Sequence, residues 1–412
     1  MQKKIKVIHI ITRLDKGGSA ENVLITCKEL DKNKYDTILV YGLSQGISCQ
    51  LPVRNYKVDE LVREISPLKD VVAFWKIYKI IKNEKPEIVH THSSKAGFLG
   101  RWAAWLSRIT SYKLQATKVI HTPHGHIFYG YYGKLKTLLF LFLERLTAKI
   151  TDRLIALTEG EKKESINFGV GKPDQWTVIH SGVNPTQPTF FKGGSTLEKL
   201  SKDGFVISTQ SRFFKGGSAL DNFSNNGLVI GTVARLEPVK GVKYFVEAIK
   251  IIHNMPDKSG NYIFLIVGDG SERKILENKV EKYGLKDKVI FTGMREDVLD
   301  LISTMDIYVQ PSLNEGMGKT LAQAMYLSKP IVATNVQGIP DVVINGETGI
   351  LVQPERPDLL ASAIVKLIED QDLRKKMGEK GFQYAIEKVD GYPRFSIERM
   401  IFLLEKLYES LS

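Results

Sequence analysis

The stretch MDIYVQPSLNEGMGKTLAQAMYLSKPIVATNVQGIP, residues 305–340, carries the pattern on which the reading of the whole chain depends. Asp306–Gln310 is short, apolar and rich in β-formers, and predicts a buried strand. Pro311 and Ser312 end it, and the loop Asn314-Glu315-Gly316-Met317-Gly318-Lys319 follows. Thr320–Leu327 has the apolar spacing of a helix, and Pro330–Thr334 predicts a second buried strand. A turn from the carboxyl end of a strand to the amino end of a helix presents backbone N–H groups at the positive end of the helix dipole, which suits an anion. Gly316 and Gly318 let a ligand come close to the main chain. Glu315 puts a carboxylate beside that positive turn. A phosphate would repel it, so it is expected to address hydroxyls or a developing positive charge. Such a turn occurs throughout doubly wound folds, where an acid can simply favour the helix dipole. The rest of the chain decides between the two.

At 412 residues the chain is long enough for two or three domains, and its 43% hydrophobic and 25% charged content is that of a globular protein. No apolar run approaches the roughly 20 residues of a membrane-spanning helix. The start, MQKKIKVIHIIT, sets basic residues before an apolar run, but the run is short and no small-residue cleavage site follows. It predicts a first buried strand. Cys27 and Cys49 lack metal or redox spacing, which fits a reducing cytoplasm. The net charge of +12 is one-sided: residues 1–183 hold 29 Lys and Arg against 17 Asp and Glu, and residues 184–412 hold 29 against 29. The basic half points to an anionic partner, although lysine-rich surfaces also serve solubility.

Read in order, the first half alternates strands and helices, which predicts a mostly parallel sheet. Strands are expected at Lys6–Thr12, Thr37–Tyr41, Ile88–His90, Val119–His121, Arg153–Leu157 and Trp176–Ile179. Gly17-Gly18 makes an amide-rich turn into a helix, without the G-x-G-x-x-G of a dinucleotide site. Two strands run into histidines, in Thr91-His92-Ser93 and Thr122-Pro123-His124-Gly125-His126. In open α/β sheets ligands bind at that carboxyl edge. Helix 134–149 is amphipathic and basic at both ends. Residues 185–227 contain a tandem repeat, Phe190–Ser195 recurring as Phe213–Ser218, and are expected to be a linker that absorbed an insertion. A second α/β series opens at Leu228–Val233. Arg235 and Lys240 are placed to bracket a diphosphate over the helix that starts at Val242. Pro393–Leu411 predicts a final amphipathic helix that packs back on the fold.

Taken together, the motifs TRLDKGGSAENVL, HTHSSKAG, HTPHGH, GTVARLEPVKG, VGDGSER, PSLNEGMGKTLAQAM and GIPDVV, in this order, resemble those of retaining GT-B glycosyltransferases of family 4, the group 1 glycosyl transferases. The resemblance covers nearly the whole chain apart from the duplicated linker. It implies two Rossmann-like α/β domains facing across a cleft: an acceptor-side, basic domain over 1–184, the linker over 185–227, a donor-side domain over 228–390, and a helix within 391–412 crossing back to the first domain. It implies a hexosyl or N-acetylhexosaminyl transfer from a nucleoside diphosphate sugar, UDP favoured, to a glycan or polyprenyl-linked acceptor in surface polysaccharide (capsule or O-antigen) assembly. Arg235 and Lys240 would hold the diphosphate in place of a metal ion, so neither metal nor cofactor is expected. Gly17 and Gly18 would approach donor phosphate and sugar. His124 would lie near the transferred sugar, and Glu315 would contact it. Gly316, Met317, Gly318 and Lys319 would meet sugar and phosphate. Eight residues after Glu315 the family expects a second Glu for the ribose hydroxyls, and this chain has Gln323. An amide keeps hydrogen bonding but loses charge assistance, which implies weaker ribose binding. An anionic membrane surface is a further expected contact, with a cytoplasmic, peripheral location at the inner face of the plasma membrane. No nucleic-acid partner is expected, because the charge lacks aromatic platforms.

Two other activities share parts of this pattern. A sugar-nucleotide epimerase of the same architecture would need acid and base residues for proton abstraction. His90, His92, His121, His124 and His126 form a set of the kind a metal hydrolase uses, but no acid accompanies them. Asp370-x-Asp372 precedes a helical segment and reads as its N-cap.

Overall fold

The computed structural model describes residues 3–15, 17–44, 51, 53–111, 116–125, 133–184, 227–255 and 262–411. The duplicated segment, His126 and Cys49 lie outside these residues. The chain divides into two compact units, Met1–Gly182 with Phe395–Ser412, and Val183–Arg394.

Among the described residues of the first unit seven strands form one sheet in the order β3-β2-β1-β4-β5-β6-β7, and all pair in parallel. They are β1 (Ile5–Leu14), β2 (Tyr35–Ser44), β3 (Arg54–Lys57), β4 (Ile88–His92), β5 (Lys118–Thr122), β6 (Arg153–Ala156) and β7 (Trp176–Val178). The connections carry α1 (Gly18–Glu29), α2 (Pro67–Glu84), α3 (Ser94–Thr110), α4 (Lys134–Ala148) and α5 (Glu159–Asn167). Strands buried on both faces read as continuous apolar runs, which is why VIHII and IVHTH predict strands without alternation. The strand order reverses between β1 and β4, and that switch point is where such sheets open a ligand site.

Among its described residues the second unit repeats the scheme with six parallel strands in the order β10-β9-β8-β11-β12-β13. These are β8 (Leu228–Val233), β9 (Tyr262–Val267), β10 (Val289–Gly293), β11 (Ile307–Gln310), β12 (Ile331–Thr334) and β13 (Gly349–Val352). The helices are α6 (Val242–His253), α7 (Arg273–Lys282), α8 (Val298–Thr304), α9 (Lys319–Tyr326), α10 (Ile339–Val342), α11 (Pro357–Glu369) and α12 (Gln371–Ile386). Its core joins Phe245, Ile249 and Ile364 to Ile230, Ile266 and Val332. The switch point here lies between β8 and β11. The Asp370 carboxylate caps α12 by accepting from Leu373 N at 2.8 Å, as its position before a helical run predicts.

The last helix differs from expectation at its start. Residues 388–393 form a hairpin of β14 (Lys388–Val389) and β15 (Tyr392–Pro393), turned by Asp390 and Gly391 at φ 56° and 85°. The helix α13 spans Ile397–Glu409, and Ser396 caps it by accepting from Arg399 N. Gly391 therefore turns a hairpin instead of opening a helix, and Pro393 pairs with Lys388. The helix does return to the first unit. Met400, Leu404, Leu407 and Tyr408 pack on Val7, Ile88 and Ile120 of its sheet. Each such buried side chain contributes roughly 1.5–3 kcal/mol.

Candidate active site

At the switch point of the first unit β1 ends in Leu14, and Arg13 pairs with Asp15 at 2.8 Å. Gly17 is the N-cap of α1 and Gly18 its first residue. The neighbouring β4 extends two residues beyond the expected His90 and ends in His92. Alternation sets His90 and His92 on one face with ring centroids 4.2 Å apart. The register pairs His90 with His9 of β1, so a third imidazole joins them. All three are buried.

Their hydrogen bonds are specific. His9 Nδ1 lies 3.0 Å from His92 Nε2, and His92 Nδ1 lies 3.0 Å from His124 Nε2. His90 Nδ1 meets the Tyr408 hydroxyl of α13 at 2.7 Å, and His90 Nε2 meets Thr122 Oγ1 at 2.8 Å. Burial lowers the pKa of His9 to about 3 and holds His90, His92 and His121 well below the usual histidine range, so these rings are neutral. His9, His90 and His92 offer nitrogens within 4.8 Å of one another, as a metal site would. Both nitrogens of His90 are already engaged, however, and among the described residues no carboxylate joins the three. His121 turns elsewhere: its Nδ1 meets Thr91 O at 3.1 Å and Thr91 Oγ1 at 2.9 Å. Among the described residues the arrangement is a hydrogen-bonded cluster of His9, His90, His92 and His124, with His121 turned away from it and His126 outside those residues.

His124 sits in the turn after β5 at φ 59°, a left-handed conformation that costs a non-glycine residue energy. The buried Glu161 of α5 holds that turn. Its carboxylate accepts from Gly125 N at 2.9 Å and from Leu157 N at 2.6 Å. Burial nevertheless raises its pKa to about 7, against the two N–H groups that favour its charged form.

The switch point of the second unit is built from two loops. The first, Ala234–Gly241, leaves β8 and includes the short turn Pro238–Lys240. Two glycines let its neighbours approach. A Cβ on Gly268 would lie 1.9 Å from Ala234 O, and one on Gly241 would lie 2.0 Å from Pro311 O, with φ positive at both. The second loop leaves β11, and Leu313 N donates to Val239 O at 2.8 Å to tie the two together. As a result Lys240 Nζ stands 2.7 Å from Glu315 Oε2, both side chains largely buried. The same oxygen accepts from Gln310 Nε2 and Ser312 Oγ, each at 3.1 Å. Glu315 N donates to Gln337 Oε1, and Gly338 N donates to Glu315 O. Gln310 is oriented in turn by Tyr308, whose hydroxyl donates to its Oε1 at 2.8 Å.

Arg235 lies at the other end of the first loop and pairs with Glu237 at 3.5 Å. Gly316 and Met317 are buried, Gly318 is the left-handed N-cap of α9, and Lys319 is its first residue. Gln323 lies in the second turn of α9, partly exposed. Of the residues singled out from sequence, the fold thus joins Lys240 to Glu315 directly. It sets Gly17 and Gly18 at the first switch point with His124 at the end of β5. Sequence reasoning missed His9, Glu161, Gln310, Ser312 and Gln337. A lone His inside VIHII and a Gln ending IYVQ were the available signals, since polar groups in buried strands need partners.

The family profile described as "Glycosyltransferase Family 4" matches residues 16–187, and that described as "Glycosyl transferases group 1" matches residues 221–384. A UDP-Gal:alpha-D-GlcNAc-diphosphoundecaprenol alpha-1,3-galactosyltransferase of Escherichia coli is 32% identical over 380 residues, covering 90% of this chain and 89% of the relative. The capsular polysaccharide biosynthesis glycosyltransferase CapM of Staphylococcus aureus is 27% identical over 77% of each chain. Among solved structures, Anabaena Alr3699/HepE in complex with UDP-glucose superposes with a TM-score of 0.73 at 19% identity, over 98% of this chain and all of the other. With both profiles matching in sequence order, and with the doubly wound sheets and returning helix of the GT-B fold, the chain belongs to the family 4, group 1 glycosyltransferases.

Proposed function

We propose that this glycosyltransferase moves a hexosyl or N-acetylhexosaminyl unit from a nucleoside diphosphate sugar, UDP favoured, to a glycan or polyprenyl-linked acceptor in surface-polysaccharide assembly, with retention of configuration. The observation that carries the reading is the Lys240–Glu315 pair at the switch point of the second unit. An ammonium has three donors, and Glu315 takes one of them. The carboxylate thereby fixes the ammonium in place, and two donors remain in position for diphosphate oxygens. Arg235 adds a second cation on the same loop, and the amides at the start of α9 add a dipole. Together they stabilise the negative charge that builds on the leaving diphosphate, the task a divalent ion performs elsewhere. Glu315 Oε2 already accepts three hydrogen bonds, which makes it a poor covalent nucleophile. Retention then follows front-side departure, with a donor phosphate oxygen taking the acceptor proton. His124 is assigned to the transferred sugar, Gly17 and Gly18 to donor phosphate and sugar, and Gln323 to the ribose.

The acceptor class draws support from the Escherichia coli relative, whose name specifies a lipid diphosphate acceptor. The helix α4 adds a physical reason. Leu135, Leu138, Leu139, Phe142 and Leu146 recur at helical spacing and stand exposed, with Leu135 83% accessible. Lys134, Lys136 and Lys149 flank that row. An apolar face with basic flanks suits an anionic bilayer, where a polyprenyl acceptor resides. Among the described residues no helix is long and apolar enough to cross a membrane.

The test incubates the purified protein with UDP-galactose, UDP-glucose or UDP-N-acetylglucosamine and a GlcNAc-diphosphoundecaprenol acceptor. Mass spectrometry identifies the product, and its anomeric proton coupling reports configuration. Transfer with an α linkage, undiminished by chelator, is expected. A β linkage or absolute dependence on manganese overturns the mechanism. Flotation with phosphatidylglycerol vesicles should be lost in Leu135→Glu/Leu139→Glu, and flotation that ignores both lipid charge and this substitution rejects α4 as the docking face.

A further inference from the structure

We infer that His9 and His92 are positioning residues: a directional chain of hydrogen bonds running from His9 through His92 holds the proton of His124 on Nδ1. The inference rests on the proposed role of His124 at the transferred sugar and adds what sets that ring's donor.

Its direction follows from the far end of the chain. His9 Nε2 is buried and has no partner among the described residues. A buried N–H without an acceptor is costlier and rarer than a bare lone pair. His121 in the same sheet shows this preference. Its Nδ1 faces a carbonyl oxygen, which only accepts, so Nδ1 carries the proton and the buried Nε2 is left as the bare lone pair. By the same logic His9 carries its proton on Nδ1 and donates to His92 Nε2. His92, neutral and accepting at Nε2, carries its proton on Nδ1 and donates to His124 Nε2. His124 then keeps its own proton on Nδ1. Reversing the chain would bury the N–H of His9 against nothing, so the two directions are not equivalent in energy.

The anchors on either side are rigid. The register fixes His9 opposite His90, and Tyr408 and Thr122 hold His90 from both ends. Glu161 fixes the turn that carries His124. The outcome is a donor of defined identity, Nδ1–H, suited to a sugar hydroxyl oxygen, where an imidazole free to exchange tautomers would spend part of its time as an acceptor. Neither His9 nor His92 need touch a ligand for this, which is what distinguishes them from a catalytic residue.

Histidine-selective ¹⁵N labelling reads the tautomers directly from long-range nitrogen–proton correlations, with His124 assigned by its loss in His124→Asn. The parent protein should show His9, His92 and His124 all protonated on Nδ1. His9→Leu removes the starting donor at similar volume, and the His92 and His124 signals should move toward a tautomer mixture. Turnover should fall between about 10- and 100-fold, chiefly in kcat. His9→Asn presents an amide N–H near the position of Nδ1 and should restore both the tautomer and most of the rate. A parent spectrum with His124 protonated on Nε2 overturns the inference whether or not any variant folds. So does a His124 signal unchanged in His9→Leu, or zinc bound stoichiometrically by the parent at this cluster. Tautomers that move while turnover holds would support the chain of hydrogen bonds and instead remove His124 from the proposed reaction.

Discussion

Lys240 Nζ and Glu315 Oε2 stand 2.7 Å apart although 75 residues separate them in sequence. They belong to the two loops that leave adjacent, hydrogen-bonded strands of the second sheet, β8 and β11. The pair makes those loops one unit: removing either charge frees the other from its position. Lys240→Met should therefore weaken UDP binding by about 10- to 100-fold in calorimetry and lower turnover by about 100-fold or more. Glu315→Gln keeps an acceptor for Gln310 and Ser312 but releases the ammonium, and should lower turnover comparably. The double variant should be little worse than either single one, because each already disrupts the same unit. Fully multiplicative losses would show that the two residues act independently.

Gln323 occupies the second turn of α9, eight residues beyond Glu315. Under the proposed reading it meets the ribose hydroxyls with neutral hydrogen bonds. Gln323→Glu introduces a charged acceptor of the same length, so UDP should bind about 3- to 10-fold more tightly. The gain should vanish for a UDP analogue lacking both ribose hydroxyls. A gain that persists with the analogue would place Gln323 away from the ribose.

The parallel strands were legible because burial on both faces writes itself as short runs of Val, Ile and Leu, and the turns because glycines punctuate them. The strand order, and with it the two switch points, came only from the pairing of the strands. What sequence did not reveal are side-chain partners set by register. His9 reads as a stray polar residue in an apolar strand until β1 is paired with β4, which brings His90 and His92 against it. Glu161 reads as the third position after a capping Thr158, and its grip on Gly125 spans 36 residues. Gly391 and Pro393 are equally compatible with a helix start and a hairpin, and only the pairing of Lys388 with Pro393 separates the two.

Glu161 makes stability depend on pH in a defined direction. Burial raises its pKa in the folded protein to about 7, above the ordinary 4.5 that the unfolded chain retains. The unfolded chain therefore loses its proton first. Stability from this group is fully present below about 4.5, declines as pH rises toward about 7, and is constant above that. The shift corresponds to roughly 3 kcal/mol. Glu161→Gln cannot ionise and should not show this decline. It sacrifices one acceptor for Gly125 N or Leu157 N, a constant penalty of about 1–3 kcal/mol. The difference in unfolding free energy between parent and variant should accordingly shift by roughly 3 kcal/mol in favour of the variant between pH 4.5 and 7. Urea titrations read by tryptophan fluorescence suit this measurement, because all four tryptophans, at 75, 102, 105 and 176, lie in the first unit. Parallel pH curves for the two proteins would show that burial does not hold this carboxyl protonated.

Arg101 gives the same probe a second use. It is fully buried in α3, donates to Gly97 O at 2.8 Å and pairs with Glu144 of α4 at 2.7 Å. This pair ties the helix proposed to dock on the bilayer to α3. Glu144→Ala leaves a guanidinium buried without its counter-charge and should cost about 3–5 kcal/mol, nearer the lower figure because Glu144 retains some contact with solvent. Arg101→Met/Glu144→Leu removes both charges and fills the space with apolar atoms. It should recover most of that loss, since neither charge then has to be desolvated, and the contacts that go with the guanidinium are those to Gly97 O, which still accepts from the helix backbone, and to Thr151 Oγ1. Urea midpoints read by tryptophan fluorescence suit this test too, because the indole N–H of Trp102 donates to Thr147 of α4 at 3.1 Å and contributes to the signal. If the double variant proves as unstable as Glu144→Ala, the pair contributes more than mutual neutralisation, and the geometry of the guanidinium itself sets the seat of α4.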